Sequence, residues 1–227
     1  MNLQHNYWYF KSVLSKDFCE NIIKYGNQQK DELALTGGLS RKNKKFDRDL
    51  EKYPLSEEEQ KDLKKKRNSH IVWLNDRWIY DTIHPYIHTA NESAGWNFQW
   101  DWTESCQFTK YNKGQFYGWH QDSWDAPYDN TTDNPDFIGK TRKLSVTVSL
   151  SDPKDYKGGE LEFAYLNAFK NEPHANKVKC TQILPQGSIV VFPSFHWHRV
   201  NPVTEGHRYS LVMWQLGLPY KWLILIS

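Results

Sequence analysis

Cysteine is scarce in this chain: Cys19, Cys106 and Cys180 are the only three in 227 residues. They form no Cys-x-x-Cys pair and no zinc spacing, and so sparse and odd a count excludes a disulfide framework as the source of stability. Each is expected to be a small buried apolar residue. Long apolar runs are absent as well. The longest near an end, residues 222–226, falls far short of the roughly 18 needed to span a bilayer. The opening MNLQHNYWYFKS lacks the basic start, apolar stretch and cleavage site of a secretion signal, so the chain reads as soluble and cytoplasmic. An excess of charge of one sign is missing too. Lys and Arg number 29 against 27 Asp and Glu, and a net charge of +2 gives no general attraction to nucleic acid. Basic residues gather between Arg41 and Arg67, but acidic ones interleave with them, as on a solvated face.

Aromatic residues, by contrast, are plentiful. They make up 15% of the chain, with eleven Trp, and the length suits one domain, 1–227, with a sizeable core. Residues 1–95 read as mainly helical support. Ser15 is placed to cap a helix, with Leu14 and Cys19 as a hydrophobic staple. Phe18, Cys19, Ile22 and Ile23 mark its apolar face, and Gly26 suggests its end. Ser56 with Glu59 resembles a capping box opening a charged helix towards Arg67, exposed because it lacks an apolar stripe. Trp78, Ile79, Ile83, Tyr86, Ile87 and Ala90 recur at helical spacing, and Pro85 should kink or split that helix.

From Asn97 the pattern changes to short alternating runs. The candidate strands are 98–101, 104–111, 116–121, 143–150, 160–165, 178–184, 188–192, 197–200 and 208–216. Strands this short and this regularly spaced suggest a mainly β (α+β) protein whose core, over 96–218, is an antiparallel sandwich or jelly roll. In the run from Leu144 to Leu150 one face is aliphatic and the other carries only hydroxyls. Such a face suits the wall of a polar cavity, and equally a strand with one solvated side. Residues 123–141 form an Asp/Asn-rich connection of a length that is usually either functional or disordered.

Among the nine histidines only His120 has a carboxylate, Asp122, two residues later. On a strand these positions share a side, so imidazole and carboxylate can converge on one ion. The pair alone carries little weight, since fifteen Asp would produce a His-x-Asp by chance in roughly every second such sequence. A third ligand from a distant strand would complete a facial triad of two His and one carboxylate, which leaves open positions on iron(II). Zinc usually takes four ligands, or three and a water. His196, His198 and His207 are the late candidates. His198 is preferred because it begins a strand after 189–192, and the turn at 201–206 returns Arg208 beside it. A guanidinium there could bind a carboxylate bidentately, close to a metal but not on it, as a chelating dicarboxylate would need.

Three blocks then carry a resemblance: YNKGQFYGWHQD from Tyr111 to Asp122, RKLSVTVSLSDPKDYKGGELEF from Arg142 to Phe163, and FPSFHWHRVNPVTEGHRYSLVMW from Phe192 to Trp214. In order and content they resemble the iron(II)/2-oxoglutarate dioxygenase superfamily, in its prolyl 4-hydroxylase-like branch with the PKHD-type hydroxylases. The upstream segments RNSHIVWL and ANESAGW add weaker similarity. The resemblance implies a double-stranded β-helix (jelly roll) with N-terminal supporting helices. It implies that His120, Asp122 and His198 hold Fe(II), and that Arg208 pairs with the far carboxylate of 2-oxoglutarate, helped by Ser210. Tyr111 would hydrogen-bond the cosubstrate, and Thr147, Leu161 and Trp214 would line the pocket. Dioxygen is the implied co-reactant and ascorbate an accessory. The implied reaction is hydroxylation of a C–H bond, first of a prolyl residue in a peptide or protein, with release of succinate and CO2.

The loop from Ser123 to Lys140 departs from that pattern by its length. It carries Trp124 and Tyr128, which are expected at the substrate pocket, and it suggests a lid. Two rival readings differ in class. Nucleic-acid alkylation repair uses the same metal chemistry on a flipped base, but such enzymes carry a second Arg six residues after the first, where this chain has Trp214. The other is a non-catalytic metal-binding jelly-roll module, against which the complete triad with Arg208 argues.

Overall fold

The computed structural model describes residues 3–34, 56–130, 132, 134–165 and 176–220. Most of the basic run between Arg41 and Arg67, and the apolar residues 222–226, lie outside them. Three helices, α1 (Lys16–Gln28), α2 (Glu57–Lys66) and α3 (Arg77–Ser93), accompany fifteen strands among the described residues. Strands β1 (Trp8–Phe10), β2 (Glu32–Leu33), β4 (His70–Leu74), β5 (Trp102–Thr103), β6 (Cys106–Tyr111), β8 (Thr141–Ser149), β12 (Ile189–Pro193) and β15 (Arg208–Gly217) build a major sheet. Its order is β1-β12-β8-β15-β6-β4-β2, with β5 joined to β15. A minor sheet runs β11-β10-β13-β7-β3, from β3 (Arg67–Asn68), β7 (Phe116–His120), β10 (Leu161–Ala164), β11 (Lys177–Lys179) and β13 (Trp197–Val200). A small ribbon of β9 (Tyr156–Gly158) and β14 (Val203–Gly206) completes the jelly roll.

Period-two alternation decides which layer each side chain enters. In β8 and just beyond, Leu144, Val146, Val148 and Leu150 are fully buried in one core cluster with Ile79, Ile83 and Ile87 of α3. The hydroxyls of Ser145 and Thr147 fall on the opposite face, towards the minor sheet. Strand β12 splits in the same way. Ile189 and Val191 join the helix-side cluster, while Val190 and Phe192 pack with Leu161 and Phe163 between the sheets. At roughly 1.5–3 kcal/mol for each fully buried aliphatic side chain, a one-residue slip would forfeit both layers at once.

Several expectations hold in detail. Ser15 caps α1 by accepting from Phe18 N, and Ser56 with Glu59 forms the reciprocal capping box of α2. Beside the helices expected in residues 1–95, β1 and β4 pair into the major sheet and β3 into the minor one. Other expectations are corrected. Helix α2 is anchored despite its charge, since Leu63 is wholly buried. Pro85 does not break α3, which is continuous from Arg77 to Ser93. The proline lies on the exposed face, so the carbonyl it leaves unpaired faces water. The expected strand at 98–101 is absent; Phe98 instead bonds both its N–H and C=O to the Asn91 side chain. The run 178–184 is strand only at its start and then turns as a short 3-10 helix, Thr181–Ile183.

Gly26 does not end α1, which continues to Gln28. Its role is close approach: a Cβ there would sit 2.5 Å from Cδ1 of the buried Phe108. Gly26→Ala is therefore expected to lower stability by about 1–3 kcal/mol from overpacking, outweighing the roughly 1 kcal/mol gained in helix propensity. A denaturant midpoint equal to or above the parent's would show that the ring moves freely.

Candidate metal centre

His120 ends β7 and His198 lies in β13, and the antiparallel register sets them directly opposite each other. Their ring centroids are 4.1 Å apart. Asp122 follows β7, held where both its N–H and that of Ser123 donate to the Ser194 carbonyl. Its Oδ1 lies 3.5 Å from His120 Nε2 and its Oδ2 3.5 Å from His198 Nε2. These three residues are the group among the described residues whose donor atoms converge as a metal site requires.

Both imidazoles are oriented by the main chain. His120 Nδ1 is 2.8 Å from the Gly118 carbonyl and His198 Nδ1 is 3.0 Å from that of His196. A carbonyl oxygen only accepts, so each Nδ1 carries the proton and each Nε2 presents a lone pair. Burial, and then His120, push His198 down to about 4, so it is neutral at ordinary pH. Two imidazole lone pairs and a carboxylate thus face one another in a buried space. A divalent cation converts that mutual repulsion into coordination, so the donor set fits one.

The carboxylate is braced from the major sheet. Ser145 Oγ donates to Asp122 Oδ2 at 2.7 Å and lies 2.9 Å from Ser194 Oγ. The sequence reading missed these two serines, although Ser145 belongs to the hydroxyl face it singled out in β8. His196 is not brought to the centre. Its Nε2 is buried without a partner, and burial pushes the ring down to about 4. His207 lies in the turn, with Nδ1 2.8 Å from Asn112 Oδ1.

A narrow pocket opens from the triad into the jelly roll. It gathers Arg208, Tyr111, Ser210, Thr147, Leu161 and Trp214, the residues that the sequence assigned to cosubstrate and pocket. Arg208 is paired in register with Tyr111, and its Nη1 is 3.5 Å from Ser210 Oγ. Gly159 lets the side chain pass: at φ +65° it adopts a backbone that other residues avoid, and a Cβ would lie 2.9 Å from Arg208 Cδ. The indole Nε1 of Trp214 and Nη2 of Arg67, both in residues lining this pocket, are buried donors without acceptors. A pocket with spare donors and a guanidinium suits an acidic, oxygen-rich ligand.

On its other side the triad faces a cleft of about 560 Å3, lined by Trp119, Trp124, Trp197, Lys65 and Lys66 among others. Trp124, expected at a substrate pocket, lines this cleft. Tyr128 lines neither cavity; its hydroxyl donates to Glu104 Oε1, and its ring packs edge-on against Trp124. Arg142 was also missed. Its guanidinium lies 3.9 Å from the Trp214 ring and 4.8 Å from that of Trp124, and it makes two 2.6 Å bonds to Glu104.

Two predictions follow from this geometry. Ser145→Ala should weaken Mn(II) or Fe(II) binding about 10- to 100-fold, as loss of a ligand's hydrogen-bond partner does elsewhere, read by metal titration. Glu104→Gln should cost about 3–5 kcal/mol by stranding a buried guanidinium, read by urea unfolding. Unchanged binding or unchanged stability, respectively, would refute them.

The family model of the 2OG-Fe(II) oxygenase superfamily matches residues 106–216. A PKHD-type hydroxylase of Alteromonas mediterranea is 36% identical over 107 residues, 47% of this chain and 41% of the relative. The match thus spans well under half of that relative's length. In fold, the chain is similar to the viral collagen prolyl hydroxylase vCPH of Paramecium bursaria Chlorella virus-1 in its 2OG complex. That similarity has a TM-score of 0.59 at 18% identity, covering 95% of this chain and 98% of the other. A Trichoplax adhaerens prolyl hydroxylase, in complex with a hypoxia inducible factor peptide fragment, gives 0.60 at 17% identity, covering 93% and 84%. Residues 106–216 of this chain thus match the 2OG-Fe(II) oxygenase superfamily and are similar in sequence to the PKHD-type hydroxylases.

Proposed function

We propose that the protein is an Fe(II)- and 2-oxoglutarate-dependent hydroxylase acting on a prolyl residue of a peptide or protein. The observation that carries this reading is one pocket whose mouth is the His120–Asp122–His198 triad and which Arg208 enters from β15. His120, Asp122 and His198 would hold Fe(II) from one side, leaving the opposite positions to ligands. Ser145 keeps the Asp122 carboxylate turned to the metal, and the two main-chain carbonyls keep each Nε2 aimed at it. Arg208, with Ser210 and Tyr111 beside it, would receive the far carboxylate of 2-oxoglutarate, and Thr147 and Leu161 shape the space between. When bound, Fe(II) with 2-oxoglutarate and dioxygen supplies the oxidising power to break a C–H bond, with succinate and CO2 released.

The substrate would lie in the adjoining cleft, whose walls include three indoles. Broad aromatic faces suit a pyrrolidine ring, which offers C–H bonds and little else to recognise. The structural similarity to a prolyl hydroxylase captured with a peptide supports the same choice. The loop after Asp122 would act as a lid. Its base is closed by bonds from Tyr128 N to Lys140 O and from Gly139 N to Tyr128 O. Ascorbate would serve as an accessory reductant.

The test is succinate release with Fe(II) and 2-oxoglutarate, followed by mass spectrometry of a proline-containing peptide panel. His120→Ala should reduce turnover to background. Arg208→Ala should raise the KM for 2-oxoglutarate roughly 30-fold or more, the equivalent of losing a buried charge pair. Removing the centre of the 123–140 loop should raise the peptide KM and spare uncoupled 2-oxoglutarate turnover. Silence of the parent protein with every peptide and with alkylated nucleic acid would favour a binding module over an enzyme.

A further inference from the structure

A second arginine reaches the pocket of Arg208, and the cycle above leaves it without a task. Arg67 opens β3 immediately after α2 and is paired in register with Tyr117 of β7. Although charged, it is only 4% exposed. Nε donates to Ser69 Oγ at 2.9 Å, and Cζ lies 4.3 Å from the centroid of the Tyr117 ring. Nη2 is buried with no hydrogen-bond partner. Among the described residues no carboxylate forms an ion pair with it, in contrast to Arg142 and Arg199, which are each tied to a glutamate.

A buried guanidinium left in this state is destabilising. Two other observations say what would complete it. Arg67 lines the same narrow pocket as Arg208 and the triad, so its spare donor borders the space a ligand would fill. The Tyr117 ring on which it rests is itself stacked on His120, with centroids 3.5 Å apart and planes 12° apart. Arg67 therefore stands one ring away from a metal-ligating imidazole, whereas Arg208 stands beside Tyr111. Asp122, the carboxylate of this pocket, is engaged by Ser145 and faces the two imidazoles, so the missing anion has to arrive with a ligand.

We propose that Arg67 is a second carboxylate-binding residue, which grips the 2-oxo dicarboxylate together with Arg208. The inference rests on the cosubstrate assigned above and extends it to a two-arginine cradle. Arg67 is a positioning residue: it fixes the acid relative to the metal and exchanges no proton with it. The fork geometry of its guanidinium suits a carboxylate better than an ammonium would.

Binding rather than turnover provides the test, with Mn(II) in place of iron and isothermal titration calorimetry of the full chain. The probes are 2-oxoglutarate, pyruvate, which has only the 2-oxo acid end, and glutarate, which has the two carboxylates without the keto group. Arg67→Gln should weaken 2-oxoglutarate binding at least tenfold while leaving Mn(II) affinity unchanged and the thermal midpoint of the metal-loaded protein no lower than the parent's. A parallel loss for pyruvate would place Arg67 on the metal-bound carboxylate; a loss for glutarate with pyruvate spared would place it on the far one. Should Arg67→Gln fold poorly, Arg67→Lys retains the charge, and binding intermediate between parent and Gln variant is then expected. Unaltered 2-oxoglutarate binding in a folded Arg67 variant would overturn the proposal, as would a higher peptide KM with 2-oxoglutarate binding intact. Failure of the parent itself to bind 2-oxoglutarate would instead overturn the cosubstrate assignment on which it stands.

Discussion

The carboxylate of Asp122 is the point at which the two sheets depend on each other. Its backbone leaves β7 of the minor sheet, its N–H donates to Ser194 just beyond β12, and its Oδ2 accepts from Ser145 of β8. The histidines could be brought together by the minor sheet alone, since β7 and β13 are neighbours. The third donor cannot. Its position requires the major sheet to lie at the right depth and register beneath the minor one, so the geometry of the centre reports on the packing of the whole sandwich. That packing rests in turn on the dry layer of Val190, Phe192, Leu161 and Phe163 between the sheets.

The pocket beyond the triad is polar where a core is normally apolar. Arg208, Ser210 and Thr147 stand on the same strands that send Leu211, Met213, Val146 and Val148 into the helix-side core. The alternation of a strand allows one segment to serve both purposes, with the helices sealing the apolar face and the minor sheet roofing the polar one. Buried groups left with unmet hydrogen-bonding capacity cost stability, and two of them, Nη2 of Arg67 and Nε1 of Trp214, belong to residues that line this pocket. A ligand accepting from them would recover part of that cost.

Much of this was legible in the sequence because the relevant signals are local. His120 and Asp122 sit two residues apart at the end of β7, and the hydroxyl face of β8 shows as an alternation. The hairpin expected to return Arg208 beside His198 is corrected: Val203–Gly206 is β14, paired with β9, and β13 and β15 lie in different sheets. What escaped was long-range. Ser194 gave no sign of bracing Asp122, because the two meet only when β12 lies beside β8. Arg67 ended a charged run that looked like solvated surface, and nothing local shows that β3 folds it inward over Tyr117. Pro85 and Gly26 were read by their usual local meanings, as breaker and terminator. In each case tertiary placement, an exposed carbonyl for one and a phenyl ring for the other, decided the outcome.

The main-chain orientation of the two imidazoles has one further consequence. His120 and His198 each take their proton position from a carbonyl two residues upstream, and every amino acid supplies a carbonyl. The tautomer that presents Nε2 is therefore indifferent to which side chain occupies position 196, where His196 stands with its own ring unused. Mutational drift next to the ligand is tolerated chemically, provided the strand path is kept. An insertion or deletion of a single residue between 196 and 198 would remove the acceptor and turn the ring to the other face, extinguishing the site without touching a ligand. At position 196 the centre is thus robust to substitution and brittle to changes of length.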